Sequence, residues 1–209
     1  MPKIKNIIFD YGAVIFDINH QLTIQAFKKL GIPDVESLFG HLKQSSLFDD
    51  FETGKSSASD FRKELSKLSG KNLSDKELDA AWNAMLLGIP NGKLELLIKL
   101  KDQYRTFLLS NTNEIHYNWI SDYLKNDLKI GSMAHYFEKD YYSHHLGLRK
   151  PNADIFEFVL RERKLNPEET LFIDDSPQHI VTASSLGIQT LHLTSIELLE
   201  NELALRRLI

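Results

Sequence analysis

Several polar side chains directly follow short apolar runs of the chain, where buried strands are expected to end. They are Asp10, Ser110, Asn111, Asp174 and Asp175. A cation, Lys150, stands immediately before a proline. A carboxylate is a weak nucleophile toward phosphorus, and it needs a metal ion to align it and to screen the negative charge of a phosphate. A carboxylate, a hydroxyl, an ammonium and a second carboxylate pair at neighbouring strand ends therefore predict a metal-assisted phosphoryl-transfer site.

Short apolar segments alternate with amphipathic helices along the chain, and these elements would bring the polar residues together. Both faces of each segment are apolar, as in parallel strands that helices cover on both sides. The predicted strands are residues 4–10, 106–110, 170–174 and 188–193, with a shorter candidate at 139–143. The predicted helices between them include residues 91–103 and 152–164. Such an alternation predicts a Rossmann-like, three-layer α/β core whose ligands bind at the carboxyl ends of parallel strands.

A long helical stretch, residues 19–88, separates the first predicted strand from the next one. Residues 74–77 match the capping-box pattern that starts a helix, and residues 88–92 contain the glycines and the proline of a hinge. A helical insert at this point would cover the strand ends as a lid. The sequence therefore predicts an α/β core, residues 1–18 and 89–209, and a small helical cap, residues 19–88.

The bulk composition excludes several classes of protein. The 209 residues carry a formal net charge of −4, which argues against a nucleic-acid or acidic-membrane surface. Without cysteine there is no disulfide framework and no thiolate chemistry. No apolar stretch approaches the roughly 20 residues of a membrane span, and residues 1–6 run directly into a strand without room for a signal peptide. We therefore expect a soluble cytoplasmic protein with no nucleic-acid or membrane partner.

Four motifs, in this order, resemble those of one hydrolase family. They are FDYGAV at residues 9–14, LSNTN at 109–113, LRKP at 148–151 and FIDDS at 172–176. Together they resemble the haloacid dehalogenase-like hydrolases, and in particular the phosphatases of that family with a small helical cap. The match extends over nearly the whole chain. In finer detail, the glycine in the first motif and the second and third motifs resemble bacterial sugar-phosphate phosphatases of the glucose-1-phosphate phosphatase type.

The resemblance implies that Asp10 is the nucleophile and that Mg²⁺ is the cofactor. The ion would be bound by Asp10, by Asp175 and by the backbone carbonyl of Gly12, because Mg²⁺ prefers oxygen ligands. Asp174 would orient its neighbours or Lys150. The alternative for each aspartate is a turn or helix-capping residue at a strand end. Two adjacent carboxylates beside Asp10 would repel it unless a cation lies between them.

The resemblance also implies that Ser110, Asn111 and Lys150 bind phosphate. The hydroxyl and nearby amide groups would hold phosphoryl oxygens, and Lys150 would offset the charge of the nucleophile. Ser110 and Asn111 have an alternative role as a simple strand-to-helix cap, because serine and asparagine are favoured at helix N-termini. Asn113 is the predicted cap of the helix that follows. Arg149 competes with Lys150 for the cationic role.

Gly12 stands where members of this family usually carry an aspartate that protonates the leaving oxygen and later activates water. Such general acid–base help is typically worth roughly 10²–10⁴-fold in rate. Without it we expect a slow enzyme, a substrate with a good leaving group such as an anomeric sugar phosphate, or another side chain that takes over. The alternative is that Gly12 merely permits a tight turn.

Other residues near these motifs are weaker candidates. His179 stands where relatives often carry asparagine and is assigned no metal role, because Mg²⁺ disfavours imidazole. His144 and His145 lie in a predicted loop and are expected at the surface. Residues 51–54 resemble the turn that relatives direct toward the active site. The accompanying candidates for substrate selection are Phe48, Glu52 and Trp82, the last of which is also expected in the core of the cap.

Three functions are compatible with these residues. The leading one is a Mg²⁺-dependent phosphatase that hydrolyses a small phosphorylated metabolite, such as a sugar phosphate, through an aspartyl-phosphate at Asp10. The second is a catalytically weakened phosphate-binding or regulatory protein, because Gly12 cannot act as an acid. The third is a 2-haloacid dehalogenase. Those enzymes attack carbon without a metal, and they usually lack an acid pair such as Asp174 and Asp175.

Overall fold

The computed structural model describes residues 3–32 and 46–209 of the chain. The strands of this part are β1 (Asn6–Phe9), β2 (Asp17–Ile18), β3 (Leu86–Gly88), β4 (Arg105–Ser110), β5 (Lys139–Tyr142), β6 (Thr170–Asp174) and β7 (Gln189–His192). Five of them form a parallel central sheet in the order β5-β4-β1-β6-β7. This sheet confirms the predicted α/β core, and each predicted strand is present with ends that shift by at most two residues.

Helices bury both faces of the central sheet. Along β1, Ile7 and Phe9 pack on one side and Ile8 packs on the other, and all three are fully buried. The first side is covered by the helices Lys93–Lys101, Glu114–Asn126 and Leu199–Leu205. The second side is covered by the helices Ala153–Arg163 and Pro177–Ser185. Because successive side chains of a strand point to opposite faces, an apolar residue at every position favours this three-layer arrangement.

The register of the sheet brings the ends of its three central strands level. Phe9 of β1 pairs with Leu108 of β4 and with Ile173 of β6. The backbone N–H of Asp10 donates a 2.8 Å hydrogen bond to the carbonyl oxygen of Ile173. Asp10 therefore lies at the carboxyl end of the sheet, beside the last residues of β4 and β6.

The described helices between β2 and β3 form a second group, here called the helical unit. They are His20–Leu30, Ser46–Glu52, Ala58–Ser69 and Asp75–Asn83. Their buried core extends from Ile24 to Met85 and includes Ile115 from the helix that follows β4. Ser74 accepts a hydrogen bond from the N–H of Glu77, whose carboxylate accepts one from the N–H of Ser74, and this confirms the predicted capping box.

The antiparallel pair of β2 and β3 joins the helical unit to the central sheet. This pair could not be predicted from the sequence, because strands of two and three residues carry no readable periodicity. Within the predicted helical stretch, residues 33–45 lie outside the described residues, as do residues 1–2 at the start. The division into a core and a cap at the predicted boundaries stays a prediction. Among the described helices, none combines the length and the hydropathy needed to cross a membrane.

Candidate active site

Lys150 lies at the centre of the candidate site, fully buried between two carboxylates. Its ammonium nitrogen Nζ is 2.7 Å from Oδ1 of Asp10 and 2.7 Å from Oδ2 of Asp174. Lys150 and Asp174 are 0% exposed, and Asp10 is 8% exposed. A buried cation is tolerated where opposite charges and hydrogen bonds replace its water shell. The three residues therefore form one electrostatic unit, assembled from two strand ends and a loop.

Asn111 holds the backbone of Lys150 in this position. Its side-chain Nδ2 donates to the carbonyl oxygen of Lys150 at 2.8 Å, and its Oδ1 accepts from the N–H of Lys150 at 3.0 Å. Asn111 directly follows β4, so this amide ties the loop of Lys150 to the end of the sheet. Because both ends of the amide are engaged, a phosphate contact from Asn111 would come from its backbone N–H. Phosphate binding by Asn111 stays a prediction.

Burial and opposite charges compete over the protonation of the buried trio. Burial disfavours the charge of Lys150, but the carboxylates of Asp10 and Asp174 more than offset this effect and raise the pKa of Lys150. Burial works against the charge of Asp174 too, yet Lys150 and His179 hold its pKa below the ordinary value. Burial raises the pKa of Asp10; Lys150 opposes this in part, and Asp174 adds to it. A further cation beside Asp10 would therefore favour its ionised form.

Three carboxylates converge where a metal ion could bind. One oxygen atom from each of Asp10, Asp174 and Asp175 lies within 4.8 Å of the others. Burial, together with the charges of Asp10 and Asp174, raises the pKa of Asp175 to about 7. A cation among these groups relieves their mutual repulsion, and carboxylate oxygens suit a hard ion such as Mg²⁺. The three carboxylates therefore fit a divalent cation, whereas metal binding by the backbone carbonyl of Gly12 stays a prediction.

Asp174 is fixed by several donors at once. Its Oδ1 accepts a 2.8 Å hydrogen bond from the backbone N–H of Ser176. Nδ1 of His179 lies 2.9 Å from the same oxygen, and Lys150 contacts the other oxygen. His179 is thus a hydrogen-bond partner of Asp174, a contact that the sequence analysis leaves open. An acid held from three sides is well suited to orient the ammonium of Lys150.

Gly12 is not required by the turn that follows Asp10. The left-handed backbone conformation in this turn belongs to Ala13, whose φ is 55°, whereas Gly12 has no positive φ. A Cβ atom at position 12 would lie 3.0 Å from Cδ1 of Ile18, which is the movable end of a side chain. The structure therefore does not support the explanation that glycine serves a tight turn here. A side chain at position 12 would contact only the flexible side chain of Ile18 among its near neighbours.

The connection after β4 is capped by Asn113 and not by the residues before it. Oδ1 of Asn113 accepts a 3.1 Å hydrogen bond from the N–H of His116 and starts the helix Glu114–Asn126. This confirms the predicted cap, and the alternative capping role of Ser110 and Asn111 is wrong. Ser110 is 3% exposed, and its hydroxyl makes a long 3.4 Å contact to the carbonyl of Asn111. A weak internal bond leaves this hydroxyl able to donate to a phosphate.

Arg149, the competing cation, contacts the helical unit. Its Nη1 is 2.6 Å from Oδ1 of Asp49, and its Nη2 is 2.9 Å from Oε2 of Glu52. Both acids belong to the helix Ser46–Glu52. This contact could not be predicted from the sequence, because its partners are far apart in the chain. The available signal was a cluster of acids just before the turn at residues 51–54.

Two further sets of candidates, the histidines after β5 and the aromatic residues of the helical unit, agree only in part with the expected positions. His144 and His145 belong to the short helix Ser143–Leu146 and not to a loop. His145 is exposed, whereas burial, with His145 nearby, lowers the pKa of His144 to about 4. The rings of Phe48 and Trp82 stack at 5.3 Å in the buried core of the helical unit. This confirms the core position expected for Trp82. Phe48 is buried in the same core and does not lie on a surface that a substrate could contact.

Comparisons with known proteins show the family of this chain. The model of the haloacid dehalogenase-like hydrolase family matches residues 4–187. The chain is 37% identical over 188 residues to the D-ribitol-5-phosphate phosphatase of Bacteroides thetaiotaomicron, and the match covers 90% of each protein.

Two solved structures are similar over nearly the full length. One is a haloacid dehalogenase family enzyme from Bacteroides thetaiotaomicron in complex with magnesium and inorganic phosphate. It has 38% identity and a TM-score of 0.81, and the match covers 90% of this chain and 93% of that one. The other is a predicted haloacid dehalogenase-like hydrolase from Porphyromonas gingivalis, with 34% identity, a TM-score of 0.85 and coverage of 99% of both chains.

Proposed function

This chain belongs to the haloacid dehalogenase-like hydrolases, and we propose that it is a Mg²⁺-dependent phosphatase that hydrolyses a small phosphorylated metabolite. The observation that carries this proposal is the buried Lys150 between Asp10 and Asp174, with Asp175 beside them. A similar protein is a D-ribitol-5-phosphate phosphatase, and a similar structure holds magnesium and inorganic phosphate. Both support a phosphomonoester substrate and a divalent cation.

In the proposed mechanism, a carboxylate oxygen of Asp10 attacks phosphorus. The bond between phosphorus and the ester oxygen breaks, this oxygen leaves with the electron pair as an alkoxide that takes a proton from water, and the phosphoryl group stays on Asp10 as an acyl phosphate. Water then attacks the same phosphorus, which releases inorganic phosphate and restores the carboxylate. Lys150 and the hydroxyl of Ser110 stabilise negative charge on the transferred oxygens, and Asp174 keeps Lys150 in place.

Asp10, Asp175 and the backbone carbonyl of Gly12 are the groups that would hold Mg²⁺. When bound, the ion screens the charge between the carboxylate and an anionic substrate. We propose residues 19–88 as a cap over a core of residues 1–18 and 89–209. The separate hydrophobic core of the helical unit supports this division, and a cap above the strand ends would exclude water from the reaction.

The chemistry at position 12 suggests the class of substrate. Gly12 supplies no acid for the departing oxygen, so leaving groups of low basicity are favoured. An anomeric sugar phosphate, as expected for a glucose-1-phosphate phosphatase, departs more readily than the phosphate ester of a primary alcohol. We therefore propose sugar phosphates as the substrate class, with anomeric phosphates turned over faster than polyol phosphates.

A panel of phosphorylated metabolites, assayed with Mg²⁺ and with a chelator, tests the proposed activity. We expect Mg²⁺-dependent release of phosphate from at least one sugar phosphate. Asp10→Asn should reduce this release to the detection limit, because an amide cannot act as the nucleophile. The exposed Asp127→Asn is the matched control and should retain full activity. Full activity of Asp10→Asn, or undiminished activity in chelator, would contradict the mechanism.

A second candidate function is phosphate binding with little turnover, and the absence of an acid at Gly12 favours it. The same panel separates the two functions when vanadate affinity is measured in parallel. Tight vanadate binding without hydrolysis of any panel member would favour the binding protein.

Gly12→Asp tests the proposed substrate class. The new carboxyl group would supply the missing acid, because only the movable end of Ile18 opposes a side chain at this position. We expect hydrolysis of polyol phosphates to rise by about 10²-fold relative to anomeric phosphates. Gly12→Asn has the same size but no acid and should leave this ratio unchanged. If both variants give the same ratio, position 12 does not select the leaving group.

A further inference from the structure

We propose that Arg149 is a positioning residue that fixes the helix Ser46–Glu52 over the active site and ties its position to Lys150. This inference rests on the proposed phosphatase function. Arg149 places one nitrogen 2.6 Å from Asp49 and another 2.9 Å from Glu52, and both acids lie on that helix. The guanidinium is a rigid fork, so two contacts in different directions set the orientation of the helix as well as its distance.

The turn that follows this helix rests on the same part of the core. Gly54 adopts a φ of 67°, and a Cβ atom there would lie 2.4 Å from the carbonyl oxygen of His144. The two backbones therefore approach so closely that a side chain at this position would collide. Asp49, Glu52 and Gly54 lie within six residues of the helical unit, and all three contact the segment between β5 and Lys150. Together they form one continuous contact, here called the rim contact.

The rim contact is linked to the reacting groups through one peptide unit. Arg149 directly precedes Lys150, whose main chain is clamped by the side chain of Asn111 and whose ammonium contacts Asp10. A displacement of the helix Ser46–Glu52 would pull on the residue next to this clamp. Arg149 thus connects the helix Ser46–Glu52 to the loop of Lys150, which Asn111 holds at the end of β4.

Of the side chains of the rim contact, that of Asp49 is accessible to water, whereas Oε2 of Glu52 and Nε of Arg149 are buried. The exposed fractions of their side chains are 14% for Arg149, 42% for Asp49 and 17% for Glu52. An ion pair with a hydrated partner, such as that of Arg149 with Asp49, adds little net free energy to the closed arrangement. The contact can therefore open to admit a substrate and close again, which a fully buried pair does not do at low energy.

Hydrogen exchange of residues 46–54 tests this proposal without requiring turnover. In Arg149→Met, with Mg²⁺ and vanadate present, we expect backbone amides of this segment to exchange at least fivefold faster than in the unmodified protein. Residues 75–83, in the helix Asp75–Asn83, should be unaffected. Exchange of residues 46–54 within twofold of the unmodified rate would overturn the proposal, whether or not the protein proves to be a phosphatase.

Arg62 provides a matched control within the helical unit. It too contacts two acids, Asp79 at 2.7 Å and Asp75 at 3.3 Å, but all three residues belong to the helical unit. Arg62→Met should speed exchange around residues 75–83 and leave residues 46–54 at the unmodified rate. Faster exchange at residues 46–54 in both variants would mean that the helical unit merely loosens as a whole, and would also overturn the proposal.

Kinetics with two substrates supply the second readout. A metabolite substrate needs contacts from the closed helical unit, whereas a small aryl phosphate with a good leaving group does not. We expect Arg149→Met to lower kcat/KM for the best metabolite of the panel at least tenfold, chiefly through KM, and to change that for the aryl phosphate less than twofold. Arg149→Lys should restore part of the loss. Equal losses for both substrates would show a merely structural role.

Discussion

Two adjacent cations of this chain, Arg149 and Lys150, each contact two carboxylates, yet the two regions differ in their access to water. Lys150 and its partner Asp174 are 0% exposed at the end of the central sheet. Arg149 contacts Asp49 and Glu52 at the edge of the helical unit, where Asp49 is 42% exposed. The distances are similar in both regions, so distance does not distinguish them. Burial decides how costly each contact is to break.

Removing one partner of a buried ion pair leaves an uncompensated charge, which typically destabilises a protein by roughly 3–5 kcal/mol. An exposed pair is worth about 0–1 kcal/mol, because water solvates both partners when they separate. The buried region is therefore suited to hold a fixed constellation for chemistry. The rim contact is suited to open and close. Two consecutive residues thus make one buried and one partly exposed contact.

Lys150→Met should have the largest effect, because it removes the cation from between Asp10 and Asp174. In the presence of a chelator we expect the free energy of unfolding to fall by about 3–5 kcal/mol. With Mg²⁺ restored, kcat should still fall by at least about 10²-fold, because the charge of the transferred phosphoryl group is no longer stabilised. Denaturant unfolding and steady-state kinetics measure the two effects.

Lys63→Met is the control for this substitution. Lys63 pairs with Asp60 at 3.3 Å, and both side chains are more than half exposed. Its loss should change the free energy of unfolding by less than about 0.5 kcal/mol. A comparable change for Lys63 and Lys150 would show that burial does not separate the two kinds of ion pair.

A third contact, between Trp82 and His116, is buried but uncharged and separates the effect of burial from that of charge. Nε2 of His116 donates to the carbonyl of Trp82 at 3.1 Å, and Nδ1 faces Nδ2 of Asn113 at 3.3 Å. Oδ1 of Asn113 accepts from Trp82 and from the His116 backbone, so its amide nitrogen must face the ring. Protonation would place two donors together. Burial lowers the pKa of His116 to about 4, and His20 adds to this shift.

This pKa makes the contact sensitive to acid. Above pH 6.5, His116 is neutral in both the folded and the unfolded protein, so it adds no pH dependence. Between pH 6.5 and pH 4 the unfolded chain binds a proton at His116 that the folded chain excludes, so this residue contributes a slope that lowers stability by about 3 kcal/mol over this range. Asp175, whose pKa is raised, contributes a slope of the opposite sign, which a substitution of His116 leaves in place. His116→Gln should lose most of the slope contributed by His116 in urea unfolding measured over that range. The exposed His135→Gln should keep it, and an unchanged slope in His116→Gln would contradict the assignment.

The rim contact should give the smallest change in stability. A double-mutant cycle of Arg149→Met and Asp49→Asn should yield a coupling of about 0.5–1 kcal/mol in the free energy of unfolding at low salt. In 1 M salt the Debye length falls to about 3 Å, so this coupling should largely disappear. A coupling above about 2 kcal/mol, or one that salt leaves unchanged, would mean that the rim contact behaves like the buried pair.

Much of the core could be predicted because its signals are local. β1 and β6 carry consecutive apolar residues, Ile7 to Phe9 and Leu171 to Ile173, and this pattern indicates burial on both faces without knowledge of any partner. Ser74 and Glu77 form the expected capping box, since a helix start depends on four consecutive residues. The short pair of β2 and β3 could not be predicted in this way, because its stability depends on neighbours elsewhere in the chain.

The sequence by itself determined the order of the strands along the chain, the polar residues at their ends and the absence of an acid at Gly12. Only the tertiary structure decided which of the two adjacent cations lies buried at the end of the central sheet and which contacts the helical unit. The tertiary structure also decided that the side-chain amide of Asn111 forms hydrogen bonds with the backbone of Lys150. The physical reason is that strand formation follows from local periodicity in the sequence. The partner of a long charged side chain depends instead on which opposite charge the folded chain brings close to it and shields from water.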